Sequence, residues 1–222
     1  SVLTSVNTVA QASDGGGSTR IPASFCGLYG MIGTTGRIPR RKTGLLSWLP
    51  VNYSRIGPIS WYVEDTALLF QVMSGPHNEA ESLTIKSPSP DFLDSINNFS
   101  FKNKKIGWSH NLGSRYVDPE IKEITENKVK IFEELGANVE ELKFRLNLNE
   151  LEKPLHEHVM FTLSYCTNYQ FLKENPGKLM PHVENTILRG KKVTGEEYLK
   201  GLCKLFEFKK WKQFCLNRFN CY

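Results

Sequence analysis

Residues Asp14-Gly15-Gly16-Gly17-Ser18 place a serine hydroxyl at the end of three consecutive glycines. Glycine tolerates positive φ and lets another molecule approach the backbone closely. Successive N–H groups in such a loop can converge on a negative oxygen. A hydroxyl beside those donors is the raw material of acyl transfer. Ser18 would be the nucleophile, and the N–H groups of Gly15, Gly16, Gly17 and Ser18 the oxyanion hole. Gly-Gly-Gly-Ser by itself is also the composition of a flexible linker. The flanks argue against that reading, because the loop runs straight into Arg20-Ile21-Pro22-Ala23-Ser24-Phe25-Cys26-Gly27 with no further polar repetition. A phosphate loop is excluded, since no Gly-Lys-Ser/Thr follows the glycines.

Other residue types that could do chemistry are less organised. His156 and His158 invite a metal, but residues two apart on a helix point to nearly opposite sides. His77, His110 and His182 stand alone, and nothing singles one out as a base. The five cysteines (26, 166, 203, 215, 221) are an odd count without metal-ligand spacing. They read as free thiols in a reducing compartment, so a cytoplasmic location is expected. No metal and no organic cofactor is expected.

Around these residues the chain reads as an ordinary globular sequence. Its 222 residues, 40% hydrophobic and 23% charged, suffice for one sizeable core or two small ones. No apolar run is long enough to span a bilayer, and no signal-peptide pattern opens the chain. The net charge of +5 is concentrated late: nine Lys/Arg stand against three Glu between Arg189 and Tyr222. Aromatic and leucine residues are interleaved there as on a packed helix. The stretch therefore reads as a solvated helix face rather than a nucleic-acid surface.

The elements that must position the loop follow from pattern. Ser1 to Gln11 reads as the tail of a helix and a short strand, and Leu28 to Arg41 as short strands and tight turns. Ile56-Gly57-Pro58-Ile59 reads as a turn before a helix, with Ser60 as N-cap and Glu64 and Asp65 in the first turn. Val63, Ala67, Leu68 and Val72 would be its apolar face and Gly75 its stop. Residues 76–103 read as a surface connection with about one helical turn. A βαβ unit follows. Lys105–Ser109 is a strand, and Asp118-Pro119 opens a helix with Ile121, Ile124, Lys128, Ile131 and Leu135 on one face. Gly136 ends that helix, and Ala137–Leu142 is the returning strand. Such a unit implies a parallel pair with a right-handed crossover. The remainder is helical, with one stripe at Leu155, Val159, Leu163 and Cys166. The last helix has stripes at Leu199, Leu202 and Phe206 and at Phe208, Trp211, Cys215 and Phe219.

Asp14 to Gly27 resembles the core of the amidase signature family, whose pattern is Asp-x-Gly-Gly-Ser-x-Arg-x-Pro-Ala-x-x-x-Gly. Gly36-Arg37, Gly57-Pro58-Ile59, the run Val63 to Leu69, Ser74-Gly75 and the βαβ unit follow in the family's order. Met31-Ile32-Gly33-Thr34 departs from the family's usual Lys-Pro-Thr. The resemblance implies that Ser18 is the acyl-enzyme nucleophile, that residues 15–18 cradle the oxyanion, and that Asp14 and Arg20 support the loop. It also implies an α/β fold with a mixed, largely parallel sheet flanked by helices. Of that fold the chain would hold the middle, incomplete at both ends: residues 1–75 with the nucleophile loop, 104–142 with the βαβ unit, and 150–222 as a helical segment.

Family members activate the serine through a second, cis-linked serine and a buried lysine, both upstream of the nucleophile. No Gly-Gly-Ser-Ser-Gly-Gly stretch precedes Ser18, so the base is expected outside this chain. The implied activity is hydrolysis of carboxylic amides, with a small amide as substrate and a homodimer allowed. One alternative is the amidase subunit of a tRNA-dependent amidotransferase, the only reading in which nucleic acid enters. The other is an inactive fragment that keeps the fold.

Overall fold

A computed structural model describes residues 2–5, 7–40, 54–77, 83–111, 116–142, 150 and 153–218, with side chains as far as Lys210. Two compact units divide the chain, residues 1–99 and 100–222. The βαβ and helical segments anticipated from sequence both fall in the second.

In the first unit, β1 (Val9–Asp14) carries the chain into the glycine loop. Helix α1 (Arg20–Phe25) follows at once, with Pro22 in its first turn, where a missing N–H costs nothing. Its end is a Schellman motif. Gly27 takes φ +63°, Leu28 N–H donates to Ala23 O at 2.9 Å, and Gly27 N–H donates to Ser24 O at 3.2 Å. Strand β2 (Tyr29–Gly30) and then β3 (Arg55–Ser60) complete a sheet of order β1-β3-β2.

Both pairings in this sheet are antiparallel, with Val9 opposite Ser60 through Asp14 opposite Arg55, and Tyr29 opposite Ser60. The largely parallel arrangement expected from sequence is not displayed within this sheet. Strands β1 and β2 do run in the same direction, joined through α1, but β3 enters between them. Ile56–Ile59 is thus strand rather than turn. Pro58 is tolerated in this central strand because its carbonyl accepts from Met31 N at 3.1 Å. Its nitrogen faces the same side, just beyond the end of β2 at Gly30. Gly57 is required where the neighbouring backbone crosses, since a Cβ there would lie 1.8 Å from Met31 O.

Helix α2 (Val63–Met73) begins after an N-cap at Tyr62, not Ser60. Ser60 ends β3 fully buried, and its hydroxyl hydrogen-bonds Tyr62 O and Thr66 Oγ1. The buried face of α2 is Thr66, Ala67 and Phe70, whereas Leu68 and Val72 are exposed. The apolar stripe read from sequence is therefore rotated from the one that packs. Gly75, at φ +134°, follows the helix as expected. Helix α3 (Phe92–Asn98) is capped by Asp91, whose side chain accepts from Asp94 N. It is held to α2 by an edge-on Phe70–Phe92 contact and by Gln71 Oε1, which accepts from Phe92 N.

In the second unit, β4 (Lys105–Trp108), α4 (Pro119–Glu134) and β5 (Asn138–Glu141) form the expected βαβ unit. The two strands pair in parallel, Lys105 opposite Asn138. Asp118 caps α4 by accepting from Glu120 N at 2.9 Å, and Gly136 follows the helix with φ +88°. The apolar face Ile121, Ile124, Ile131 and Leu135 is exposed.

A π-helical segment, α5 (Lys153–Phe161), continues into α6 (Thr162–Glu174), followed by α7 (Pro181–Gly190) and α8 (Gly195–Arg218). Val159, Leu172 and Ile187 are the buried apolar centre. Two glycines permit close helix packing: a Cβ on Gly190 would lie 1.9 Å from Phe161 O, and one on Gly201 2.9 Å from Pro154 O. Of the sequence-derived stripes, Val159 is buried, but Cys166, Leu199 and Phe206 are exposed. Trp211, Cys215 and Phe219 lie outside the described side chains. Helix α8 opens with a capping box: Thr194 Oγ1 accepts from Glu197 N, and Glu197 Oε2 accepts from Thr194 N at 2.9 Å.

Candidate active site

Asp14 ends β1 with its side chain almost wholly buried, and its two carboxylate oxygens organise the loop. Oδ1 accepts from Gly17 N at 2.7 Å and Arg20 Nη2 at 3.0 Å. Oδ2 accepts from Thr19 N and Arg20 N, each at 3.2 Å, and from Arg20 Nε at 2.9 Å. A carboxylate with this many donors curls the chain tightly around itself, and the forked Arg20 contact fixes its plane. The Arg20 guanidinium and the three backbone N–H groups hold the Asp14 carboxyl well below the usual carboxylate range, against the opposing pull of burial.

The glycines take different parts in this loop. Gly17 is buried at φ +122°, and a Cβ there would lie 2.5 Å from Ile21 Cδ1. Its N–H is already directed at Asp14. Gly15 and Gly16 are exposed, and a Cβ on Gly16 would meet nothing within 4 Å. Ser18 is also exposed. Among the described residues the N–H groups of Gly15, Gly16 and Ser18 have no acceptor, and no base hydrogen-bonds the Ser18 hydroxyl. The expected residues are therefore together in the chain's exposed loop, and among the described residues three of the four N–H groups and the hydroxyl have no partner.

Two contributions were not anticipated from sequence. Thr19 is fully buried: its N–H supports Asp14, while its Oγ1 has no partner among the described residues. Ser54, forty residues along, backs the loop, since a Cβ on Gly15 would lie 3.8 Å from Ser54 Cβ. No local signal marks Ser54. It is brought in by the β1–β3 register, which sets Arg55 opposite Asp14. Gly30 lets α1 lie against the sheet, since a Cβ there would meet Ala23 Cβ at 2.5 Å.

A protein-family model described as Amidase matches residues 3–207. The chain belongs to the amidase signature family. It is 36% identical over 140 residues to an acylamidase of Rhodococcus erythropolis, an alignment covering 63% of this chain and 28% of that protein. It is 32% identical over 184 residues to the A subunit of the glutamyl-tRNA(Gln) amidotransferase of Acinetobacter baumannii (strain AYE), covering 77% of this chain and 35% of that protein. The chain thus spans about a third of the length of these relatives.

The amidase signature fold is visible in structure as well. A bacterial aryl acylamidase superposes with TM-score 0.80 at 23% identity, over 90% of this chain and 42% of that one. A 6-aminohexanoate cyclic dimer hydrolase superposes with TM-score 0.78 at 19% identity, over 96% and 46%. Among the described residues no group of His, Cys, Asp and Glu could hold a metal, and no helix is long and apolar enough to cross a membrane.

Proposed function

We propose that the protein hydrolyses carboxylic amides through an acyl-enzyme on Ser18. The observation that carries this reading is exposed Ser18 beside the N–H groups of Gly15, Gly16 and Ser18, which have no partner among the described residues, in a loop clamped by Asp14. Ser18 Oγ attacks the amide carbonyl, and its proton passes to a base. The three N–H groups stabilise the tetrahedral oxyanion, and the C–N bond breaks as the leaving nitrogen takes up a proton. Water then cleaves the ester, releasing the acid and restoring Ser18. Gly17 shapes the cradle instead of donating into it, because its N–H is directed at Asp14.

The base is the relay serine and lysine that the family resemblance places upstream. Residues 1–222 alone are accordingly expected to show no turnover. The substrate is a small amide, the setting cytoplasmic, and a homodimer is compatible with the reading. For the complete domain we keep the expectation of a largely parallel sheet, supported by the common direction of β1 and β2 and by the parallel β4–β5 pair.

Labelling by a fluorophosphonate, read by mass spectrometry on the complete protein, tests the role of Ser18. Ser18→Ala should abolish the adduct and lower amide hydrolysis at least about a thousandfold, with an unchanged thermal midpoint because Ser18 is exposed. Undiminished labelling in the variant would remove Ser18 from its role. The likeness to an amidotransferase component favours a second reading, release of ammonia from glutamine for use by a partner protein. Glutamine-dependent ammonia release that rises on adding the other amidotransferase components would select it.

A further inference from the structure

A cationic cleft lies beside the nucleophile loop, and hydrolysis at Ser18 gives it no task. Its walls include Thr34, Thr35 and Gly36, together with Arg40, Arg55 and Thr84. It encloses about 20 Å³, room for about one water-sized group, and is open on one side. The backbone fixes its shape. Gly36 takes φ +84° where Leu83 O passes, so that a Cβ there would lie 1.9 Å from that oxygen. Ile85 N–H donates to Gly36 O at 2.9 Å.

Arg55 is the charged group of interest. It is half-buried, and its Nε donates to Thr35 Oγ1 at 2.9 Å. Among the described residues no carboxylate pairs with it, and none of the cleft's described side chains is acidic. Arg40 lines the same wall, where it donates to Ser54 O at 2.8 Å. A guanidinium drawn partly out of water beside neutral hydroxyls is under-compensated, and an anion would restore the balance.

The cleft is tied to the loop in two ways. Ser54, which lines it, also backs Gly15, and Arg55 sits opposite Asp14 in the ladder. A second, more open depression of about 460 Å³ shares Arg40, Ser54 and Ile56 and reaches Ser13, the residue before Asp14.

We propose that this cleft is a subsite for a carboxylate group carried by the amide substrate, with Arg55 as the residue that binds it. The assignment rests on amide hydrolysis at Ser18, and it names acidic amides, such as the monoamide of a dicarboxylic acid, as the substrate class. Arginine suits the task because its planar fork can meet both oxygens of a carboxylate. Free phosphate shares this chemistry, so the experiment separates the two.

The complete protein, Arg55→Gln and Arg55→Lys are compared in two measurements. In thermal melts at matched ionic strength, succinate should raise the wild-type midpoint by several degrees over chloride, and this shift should vanish in Arg55→Gln and persist in part in Arg55→Lys. In kinetics, Arg55→Gln should lower kcat/KM for succinamic acid at least tenfold more than for its neutral analogue butyramide, chiefly through KM.

An equal loss on both amides, or a succinate shift that survives in Arg55→Gln, would overturn the subsite. A phosphate shift as large as that of succinate, with no preference for the acidic amide, would overturn the substrate assignment in favour of a free-phosphate site. An Arg55-dependent succinate shift without turnover of either amide would instead remove the hydrolase reading while leaving Arg55 its anion. Turnover of both amides with equal efficiency would remove the subsite and leave the hydrolase.

Discussion

Around Ser18, one buried carboxylate receives five hydrogen bonds from residues within six positions of it. In the helical part of residues 100–222 the tight contacts are of another kind, with Gly190 and Gly201 giving way to the carbonyls of Phe161 and Pro154. The loop is held by direction and charge, so a change of single atoms at its hub should dismantle it. The helices are held by shape, so damage there should scale with the volume added or removed. A site that must aim several N–H groups at one oxygen needs the first kind of support.

The largest effect expected from this contrast is at Asp14. Asp14→Asn turns one acceptor oxygen into a donor facing the N–H groups of Thr19 and Arg20. The expected cost is about 2–3 kcal/mol, less than for a fully buried pair because Arg20 is half exposed. Chemical denaturation of the two proteins measures it, and activity should fall with it. The Asp14 pKa is depressed on folding, so its contribution is fully present above the ordinary carboxylate value and is lost as pH falls through the folded value. The stability gap between wild type and Asp14→Asn should therefore stay constant from pH 8 to pH 5 and begin to close only below about pH 4. A gap that closes near pH 6 would contradict the clamp.

Next in size is Gly190→Ala, where the new methyl has no room against Phe161 O. About 1–3 kcal/mol should be lost, visible as a lower thermal midpoint, while fluorophosphonate labelling of Ser18 at low temperature is retained. Loss of labelling in a folded Gly190→Ala would show that the helices also set the loop.

A smaller effect is expected at the start of α8. Thr194→Ala removes the cap from Glu197 N and should cost about 1 kcal/mol, read by the same melts. The smallest is at Ile124 on the exposed face of α4, where Ile124→Asn in the 222-residue chain should stay within about 0.5 kcal/mol of wild type. A large loss there would mean that this face is packed in solution.

How far the sequence could be read differs between the two regions for related reasons. Asp118-Pro119, Gly136 and the apolar runs on either side fix β4, α4 and β5 through local preferences, and the structure agrees with them. The capping box Thr194–Glu197 is equally local, a threonine followed three residues later by a glutamate. The buried face of α2 is not legible locally, because two apolar stripes overlap on that helix. Periodicity cannot choose between Leu68 and Phe70 without knowing where the sheet lies. Ser60 looked like a cap because a serine before acidic residues usually is one, but ladder pairing with Val9 draws it into β3 and turns its hydroxyl toward Thr66.

The glycine loop around Asp14 is written in the local sequence. The order Asp14, three glycines, Ser18 and Arg20 carries the clamp, because every donor to the Asp14 carboxylate lies within six residues of it. Helix starts and stops are written there too, since caps, prolines and glycines act over one turn. It took the packed chain to set β3 between β1 and β2, to stand Ser54 behind Gly15, and to face Arg55 into a cleft that has no carboxylate among the described residues. Packing also turned the Gly17 N–H inward to Asp14, while those of Gly15, Gly16 and Ser18 have no acceptor among the described residues. The strand pairings join residues some forty positions apart, and no local propensity specifies which distant strand will fill a given edge. The division of the four N–H groups depends on φ at Gly17, which glycine leaves free and the packing of Ile21 against it decides.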